Sequence, residues 1–246
     1  MNVKDIKLFC LPYAGGSGVM YNSLEKYINE VIEIIPLEYS GHGERISEEF
    51  YCNFKEMVSD VAKTIIENLT DAPFALLGYS MGSLVAFEVY YEIYRRTGRK
   101  PVHIFFAAHV APEVREIQEM SYYKAAQKLT KNLTKMGGEF HEVIHHEELI
   151  DLMVPIFYSD LKLYTQYNYM MKTEPILSNI TIVYSDEENK NEKIYEWSKH
   201  TTKFCRYYKM EGNHFFINFY TEEFVKIINK TLLAEMSLNS LEASLI

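Results

Sequence analysis

The sequence predicts an α/β fold: a mostly parallel central sheet with helices on both faces and a helical insertion. Three observations predict it. Apolar runs of strand length alternate with stretches whose apolar residues recur at helical spacing. The run that starts at Phe74 passes straight into a helical stretch across Gly78-Tyr79-Ser80-Met81-Gly82, a serine flanked by two glycines. From Glu113 to Leu177 no strand pattern appears, only helical stretches. With 246 residues and 48% hydrophobic side chains the chain can bury one large core. A single domain over 1–246 is expected, with the insertion at about 113–177.

Ile6 to Leu11 reads as a buried strand that ends at Pro12-Tyr13-Ala14-Gly15-Gly16-Ser17-Gly18, ahead of a helical stretch from Met20 to Ile28. Three glycines in seven residues suit a loop that offers backbone N–H groups to an anion. The spacing matches neither the Walker pattern nor the dinucleotide fingerprint, and no lysine follows. Half of an oxyanion hole is the better reading, against a plain structural turn. In sheets of the hydrolase type the loop after an early strand gives one N–H and the residue after the nucleophile gives the other. Ala14 and Met81 are the candidates, both through their backbones.

Val31 to Leu37 forms a second strand, followed by a loop holding Gly41-His42-Gly43. His42 resembles a general base, but a histidine on an early glycine-rich loop more often packs or hydrogen-bonds. Phe54 to Leu69 carries Met57, Val58, Val61, Ile65 and Ile66 at helical spacing, a face meant for the sheet. The elbow comes next. A turn this sharp leaves no room for side chains at positions 78 and 82 and forces the central residue into strain, with its side chain exposed. Ser80 is therefore the candidate nucleophile, at the N-terminus of a helix that runs from Ser83 to Arg96 and is closed by Gly98. Arg95, Arg96, Arg99 and Lys100 are the densest basic cluster. A helix C-terminus favours such charge by its dipole alone, and a docking patch is the alternative.

Val102 to Ala107 is a further strand. In the insertion, helices are expected near Ser121 to Lys135, Glu147 to Phe157 and Asp160 to Met171, separated by Gly137-Gly138 and Pro155. A helical segment at the nucleophile end of the sheet reads as a lid. Its Phe140, Met153, Phe157, Tyr158, Tyr164, Tyr167, Tyr169, Met170 and Met171 suit an apolar acyl tunnel, or plain helix packing. His141, His145 and His146 offer metal-like spacing, but no third ligand is fixed by the pattern, so a solvated face is preferred.

Ile180 to Tyr184 is a strand that opens into Ser185-Asp186-Glu187-Glu188-Asn189, where the acid of a catalytic triad belongs. Lys203 to Met210 is the last strand. His214 follows it, ahead of a helix from Thr221 to Leu233, and so stands after serine and acid in the order that an α/β triad requires. The tail from Ala234 is expected to fray, with Leu238, Leu241, Leu245 and Ile246 as a weak apolar face.

The net charge of −9 argues against nucleic acid as a partner. Met1 to Asp5 does not open a signal peptide, and no segment has the apolar length of a membrane span. Cys10, Cys52 and Cys205 are odd in number and lack metal-ligand spacing. A reduced, cytoplasmic protein is expected, in which the Asn-x-Thr triplets at Asn68, Asn132, Asn179 and Asn229 are not glycosylation sites.

With these pieces in place the chain resembles the type II thioesterases, free-standing editing hydrolases of non-ribosomal peptide and polyketide assembly lines. The likeness rests on Leu11-Pro12-Tyr13-Ala14-Gly15-Gly16, Gly41-His42-Gly43-Glu44-Arg45, the elbow, Met136-Gly137-Gly138 with Tyr158-Ser159-Asp160, and Gly212-Asn213-His214-Phe215-Phe216. It implies an α/β-hydrolase fold and hydrolysis of acyl thioesters on the phosphopantetheine arm of acyl or peptidyl carrier proteins. It implies no bound cofactor. Separately, no membrane partner is expected, and the chain is expected to be a monomer. Tyr79 stands where a histidine is usual, Ser40 where a proline is common, and Asn213 where a second glycine is frequent, a mild change because Asn tolerates positive φ. Laying Ile180 to Tyr184 on the family's strand puts Ser185 at a glycine and Glu188 at the acid. Counting back from Trp197 selects Asp186 instead. Glu188 is preferred, since strand registers are better fixed than loop lengths. A carboxylesterase for small free esters and a non-catalytic binding module are the rival readings.

Overall fold

Six runs of strand length become six strands, the four central ones almost wholly buried and the two at the edges of the sheet largely half-buried. They are β1 (Ile6–Leu11), β2 (Ile32–Pro36), β3 (Phe74–Tyr79), β4 (His103–Ala107), β5 (Asn179–Tyr184) and β6 (Cys205–Lys209). The computed structural model describes residues 5–244, apart from the side chains of 139, 141 and 239–244. All neighbouring strands pair in parallel, in the order β2-β1-β3-β4-β5-β6. Parallel strands need crossovers, and the helices that supply them cover both faces, which is why the central runs are apolar throughout rather than alternating.

On one face, Phe9, Leu11, Phe74, Leu76, Ile104 and Phe106 pack beneath α1 (Phe54–Asn68) and α2 (Met81–Thr97). On the other, Ile6, Leu8, Ala75, Leu77 and Phe105 meet the 3-10 stretch Gly18–Lys26 and the C-terminal helix. The Asn53 side chain caps α1 by accepting from the Glu56 N–H at 2.9 Å. Gly98 closes α2 in the left-handed region at φ 69°.

The segment between β4 and β5 folds as α3 (Tyr122–Met136), α4 (Glu139–Val143) and α5 (Glu147–Gln166). The break expected at Pro155 does not occur. Pro155 sits inside α5, where Val154, Phe157, Asp160, Leu161 and Leu163 are buried on either side of it. Tertiary packing of that face outweighs the one hydrogen bond that proline removes. After β6 come α6 (Phe216–Phe219) and α7 (Thr221–Ser244). The tail expected to fray from Ala234 is instead a continuation of α7. Glu235 ties it to the sheet, accepting from Asn179 Nδ2 at 2.7 Å and lying 3.0 Å from His103 Nδ1. Leu245 and Ile246, the Leu241 side chain and the start of the chain at 1–4 lie outside the described residues. Among those described, no helix is long and apolar enough to cross a membrane.

The strand order reverses direction at β1: β2 lies on one side of it and β3 on the other. At such a switch point the loops leaving the carboxyl ends of the two strands diverge and open a crevice. Leu11 pairs with Gly78, Tyr79 with Ala107, and Ala107 with Val183. The glycine-rich loop, Ser80, His109 and the acidic loop therefore leave the sheet at the same edge.

Candidate active site

Ser80 is the residue between β3 and α2, and its backbone is strained at φ 53°, ψ −118°. Only glycines permit this elbow. A Cβ on Gly78 would strike the carbonyl of Gly82, and a Cβ on Gly82 would strike the carbonyls of Leu11 and Pro12. The second contact matters most, because it lets α2 start directly against the loop that holds Ala14. Met81 is the first residue of α2, where no intrahelical partner exists for its N–H. The Ala14 N–H also has no hydrogen-bond partner among the described residues. Both donors sit beside Ser80 in the wall of one cavity.

His214 Nε2 lies 3.0 Å from Ser80 Oγ, and His214 Nδ1 lies 2.7 Å from Glu188 Oε1. The second oxygen of Glu188 accepts from the Ser185 N–H and the Ser185 hydroxyl, each at 2.8 Å. Burial alone would push this carboxyl's pKa up. The hydrogen bond and charge of His214 and the two Ser185 donors more than offset it, so the pKa is held below the usual glutamate value. Asp186 is elsewhere: it is 76% exposed and pairs with Lys209 at 2.8 Å. Of the two acids the sequence left open, only Glu188 touches the histidine.

Three departures from the family pattern have local explanations. Tyr79 is fully buried and its hydroxyl donates to the His214 carbonyl at 2.7 Å, so it holds the histidine loop from below. Asn213 does not occupy the left-handed region. Gly212 does, at φ 88°. The Asn213 side chain instead accepts from the Phe215 N–H at 2.8 Å and donates to the Lys135 carbonyl at 3.1 Å, tying the loop to the end of α3. Ser40 uses its N–H toward the Tyr51 hydroxyl at 3.1 Å and its own hydroxyl toward the Glu49 carbonyl at 2.5 Å.

His42 is buried and away from Ser80. Its Nε2 is 2.9 Å from Asp160 Oδ2 on α5, and its Nδ1 is 3.0 Å from the Ser40 carbonyl. The same Asp160 oxygen accepts from the Gly15 N–H at 2.7 Å. One carboxylate thus joins α5, the histidine loop at 42 and the residue after Ala14. Sequence reading separated these three pieces, because nothing in the pattern of Tyr158-Ser159-Asp160 says which loop it meets.

The cavity over Ser80 has a volume of about 1150 Å³, large for a small-molecule site. Phe140, Met153, Phe157 and Tyr164 line it, as the tunnel reading expected. The other tunnel candidates go elsewhere: Tyr158 packs on Tyr122, Tyr167 on Phe54 and Tyr169 on Phe87, while Met170 and Met171 are exposed. Leu129, Leu133 and Met136 of α3 complete the apolar wall and were not singled out from sequence. Neither was His109, whose Nε2 is 3.1 Å from the Tyr164 hydroxyl in the cavity wall. Burial, aided by the neighbouring His214 charge, lowers its pKa to about 4, so it is neutral at pH 7. Among the described residues no cluster of three or more His, Cys, Asp or Glu is arranged to hold a metal, and the His141 side chain is outside them.

The family model described as "Thioesterase domain" matches residues 6–232. The chain belongs to this thioesterase family. Linear gramicidin dehydrogenase LgrE of Brevibacillus parabrevis is 28% identical over 93% of this chain and 88% of its own length. Gramicidin S biosynthesis protein GrsT of Aneurinibacillus migulanus is 26% identical over 92% of this chain and 89% of its own. The crystal structure of ClbQ from the colibactin NRPS/PKS pathway superimposes with a TM-score of 0.86 at 27% identity, covering 95% of this chain and 99% of that one. The thioesterase is therefore an α/β hydrolase in fold, and an enzyme that acts on thioester bonds by family.

Proposed function

We propose that Ser80 is the nucleophile, His214 the general base and Glu188 the acid of a thioesterase that removes acyl groups from the phosphopantetheine arm of acyl or peptidyl carrier proteins. The observation that carries this reading is the hydrogen-bonded series Ser80, His214, Glu188 at the floor of an apolar cavity. The names of GrsT and ClbQ, which tie similar chains to peptide and polyketide synthesis, support the choice of substrate class.

In the first half-reaction His214 Nε2 takes the proton of Ser80 Oγ as that oxygen bonds to the thioester carbonyl carbon. Glu188 keeps the proton of Nδ1 in place and stabilises the imidazolium. The carbonyl oxygen becomes negative and is met by the N–H groups of Met81 and Ala14, each such donor contributing on the order of 3 kcal/mol to lowering the barrier. The C–S bond then breaks, and the imidazolium gives its proton to the departing sulfur. In the second half-reaction the same imidazole deprotonates water, whose oxygen attacks the acyl-serine. The Ser80 oxygen leaves, regains its proton from His214, and a carboxylic acid is released. The arm is part of the substrate, and the reaction draws on no cofactor.

The insertion at 113–177 of the single domain acts in this reading as a lid, α3 and α5 excluding water from the acyl chain. Free thiols at Cys10, Cys52 and Cys205 suit a cytoplasmic setting. Hydride transfer, suggested by the name of one relative, is not part of the proposal: Tyr21 stands where the third glycine of a dinucleotide fingerprint starting at Gly16 belongs.

The test is Ser80→Ala, assayed on an acylated carrier protein and on a short acyl thioester. Turnover of both is expected to fall by on the order of 10⁶. Hydrolysis at the wild-type rate by this variant would remove Ser80 from the mechanism. Competition between the acylated carrier and a matched free ester then separates the carrier reading from a general carboxylesterase.

A further inference from the structure

The cavity wall is apolar, but its rim is basic. Lys124, Lys128, Lys131 and Lys135 all reach it from α3. Spacings of four, three and four residues put them on one face of that helix, beside the stripe that buries Ala125, Leu129, Leu133 and Met136. Lys190 and Lys193 reach the same rim from the 3-10 stretch after β5.

Acids at the rim do not cancel these charges. Glu188 is engaged with His214, while Lys135 pairs with Glu187 at 2.7 Å and Lys193 with Glu116 at 3.0 Å. Lys124, Lys128, Lys131 and Lys190 have no ion-pair partner among the described residues. Among the described residues that line the cavity, six lysines against three glutamates leave an excess of three positive charges, in a chain whose net charge is −9. Helix α3 itself contains no acid at all. Like charges three and four residues apart weaken a helix, and an ordinary solvated face mixes signs to avoid that.

The other basic cluster is already satisfied. Arg95 and Arg96 both bond Glu92, at 2.8 and 2.6 Å, and Arg99 bonds the carbonyls of Thr70 and Ala72. It also lies at the far end of α2 from Ser80, on the opposite edge of the sheet.

We propose that the lysine ridge of α3 is the docking surface for an acidic face of the carrier domain whose arm enters this cavity. The inference rests on the carrier reading above. An acidic partner is repelled by the chain as a whole, so attraction has to be local. Screening confines the field of the ridge to about 8 Å at physiological ionic strength. It therefore favours a carrier already poised over the cavity mouth, and contributes to orientation more than to distant capture.

Two triple variants test this, Lys124→Glu/Lys128→Glu/Lys131→Glu and the same positions changed to Gln. Each is assayed on one acyl group presented three ways: on an acidic carrier domain, on phosphopantetheine alone, and on N-acetylcysteamine. With the carrier, kcat/KM is expected to fall at least about tenfold in the Glu variant, mainly through KM, and less in the Gln variant, a tenfold loss being about 1.4 kcal/mol. The N-acetylcysteamine substrate is expected to stay within about twofold of wild type, the size of an ordinary surface substitution, which also shows that the variants fold. The wild-type loss of carrier turnover with added salt is expected to flatten in both. Equal losses on carrier and N-acetylcysteamine substrates overturn the proposal, as does undiminished carrier turnover. Equal losses on carrier and free phosphopantetheine substrates overturn it too, since the ridge then serves the arm's phosphate. A wild type indifferent to the carrier refutes the underlying reading. A wild-type carrier preference kept by the Glu variant refutes the ridge alone.

Discussion

Glu188 meets the histidine with one oxygen and Ser185 with the other, so neither can turn without giving up a buried hydrogen bond. This double anchorage distinguishes it from Asp186, two residues earlier, whose side chain points to solvent and Lys209. Glu188→Ala should lower kcat on a free acyl thioester by on the order of 10⁴, because His214 loses its tautomer anchor. Asp186→Ala should leave kcat within about twofold, as a surface substitution does. The reverse pattern in steady-state kinetics would exchange their roles. That Ser80 and His214 would meet was legible in the sequence because each sits in a short motif whose geometry is local. Glu188 was legible only through the register of β5, which fixes where the loop begins. Tyr79 and Asn213 were not, since each works through the backbone of a residue far along the chain.

At the level of elements, Asp160 holds α5 to two loops. Its Oδ2 accepts from the Gly15 N–H while lying against His42 Nε2, and both side chains are almost fully buried. Phe157, one turn earlier, packs so closely that a Cβ on Gly15 would meet its ring at 2.9 Å. Burial alone would lower the His42 pKa, but the hydrogen bond and charge of Asp160, with help from the Ser40 carbonyl and Glu38, carry it above the ordinary histidine value. A folded-state pKa raised in this way adds stability below the unfolded-state value, and the gain is lost as pH rises through the folded one. Asp160→Ala is expected to cost about 3–5 kcal/mol, the usual result of breaking a buried pair. Denaturant titrations across pH 6–9 should show that this deficit shrinks toward high pH, and a constant deficit would mean that the pair is not ionised. None of this could be read from sequence, because the partners are 118 residues apart. Strands, α1 and α2 were readable because their periodicity is internal to each element. The unbroken α5 and the full length of α7 were misjudged for the same reason, as contacts from elsewhere override Pro155 and hold Glu235.

Over the whole molecule, charge and burial work against each other in acid. The chain's acidic composition argued against nucleic acid from sequence alone, yet the uneven distribution that places lysines at the cavity rim depends on which face of α3 turns inward, and that follows from the buried stripe. Acid sensitivity has a similar origin. His109 is buried against the cavity with its pKa lowered to about 4, first by desolvation and then by the His214 charge, against an ordinary value of 6.5. The unfolded chain therefore takes up a proton between those values that the folded one refuses, and stability falls as pH drops through this window. From about pH 4.5 downward Glu188 adds to the loss, because a carboxyl held low in the folded state contributes stability that disappears as pH falls from its unfolded value through its folded one. From pH 6.5 to pH 5 the His109 contribution is about 1.6 kcal/mol, since the slope starts at half of 1.36 kcal/mol per pH unit at pH 6.5 and reaches nearly the full value by pH 5.5. Replacing His109 with Gln, which does not titrate, removes that slope. Unfolding free energies of the wild type and His109→Gln, measured in urea at both pH values, should then differ in their pH dependence by about this amount, with the wild type losing more. Parallel losses in the two proteins would show that His109 takes up its proton in the fold as readily as in the unfolded chain, and that the cavity wall is wetter than its packing implies.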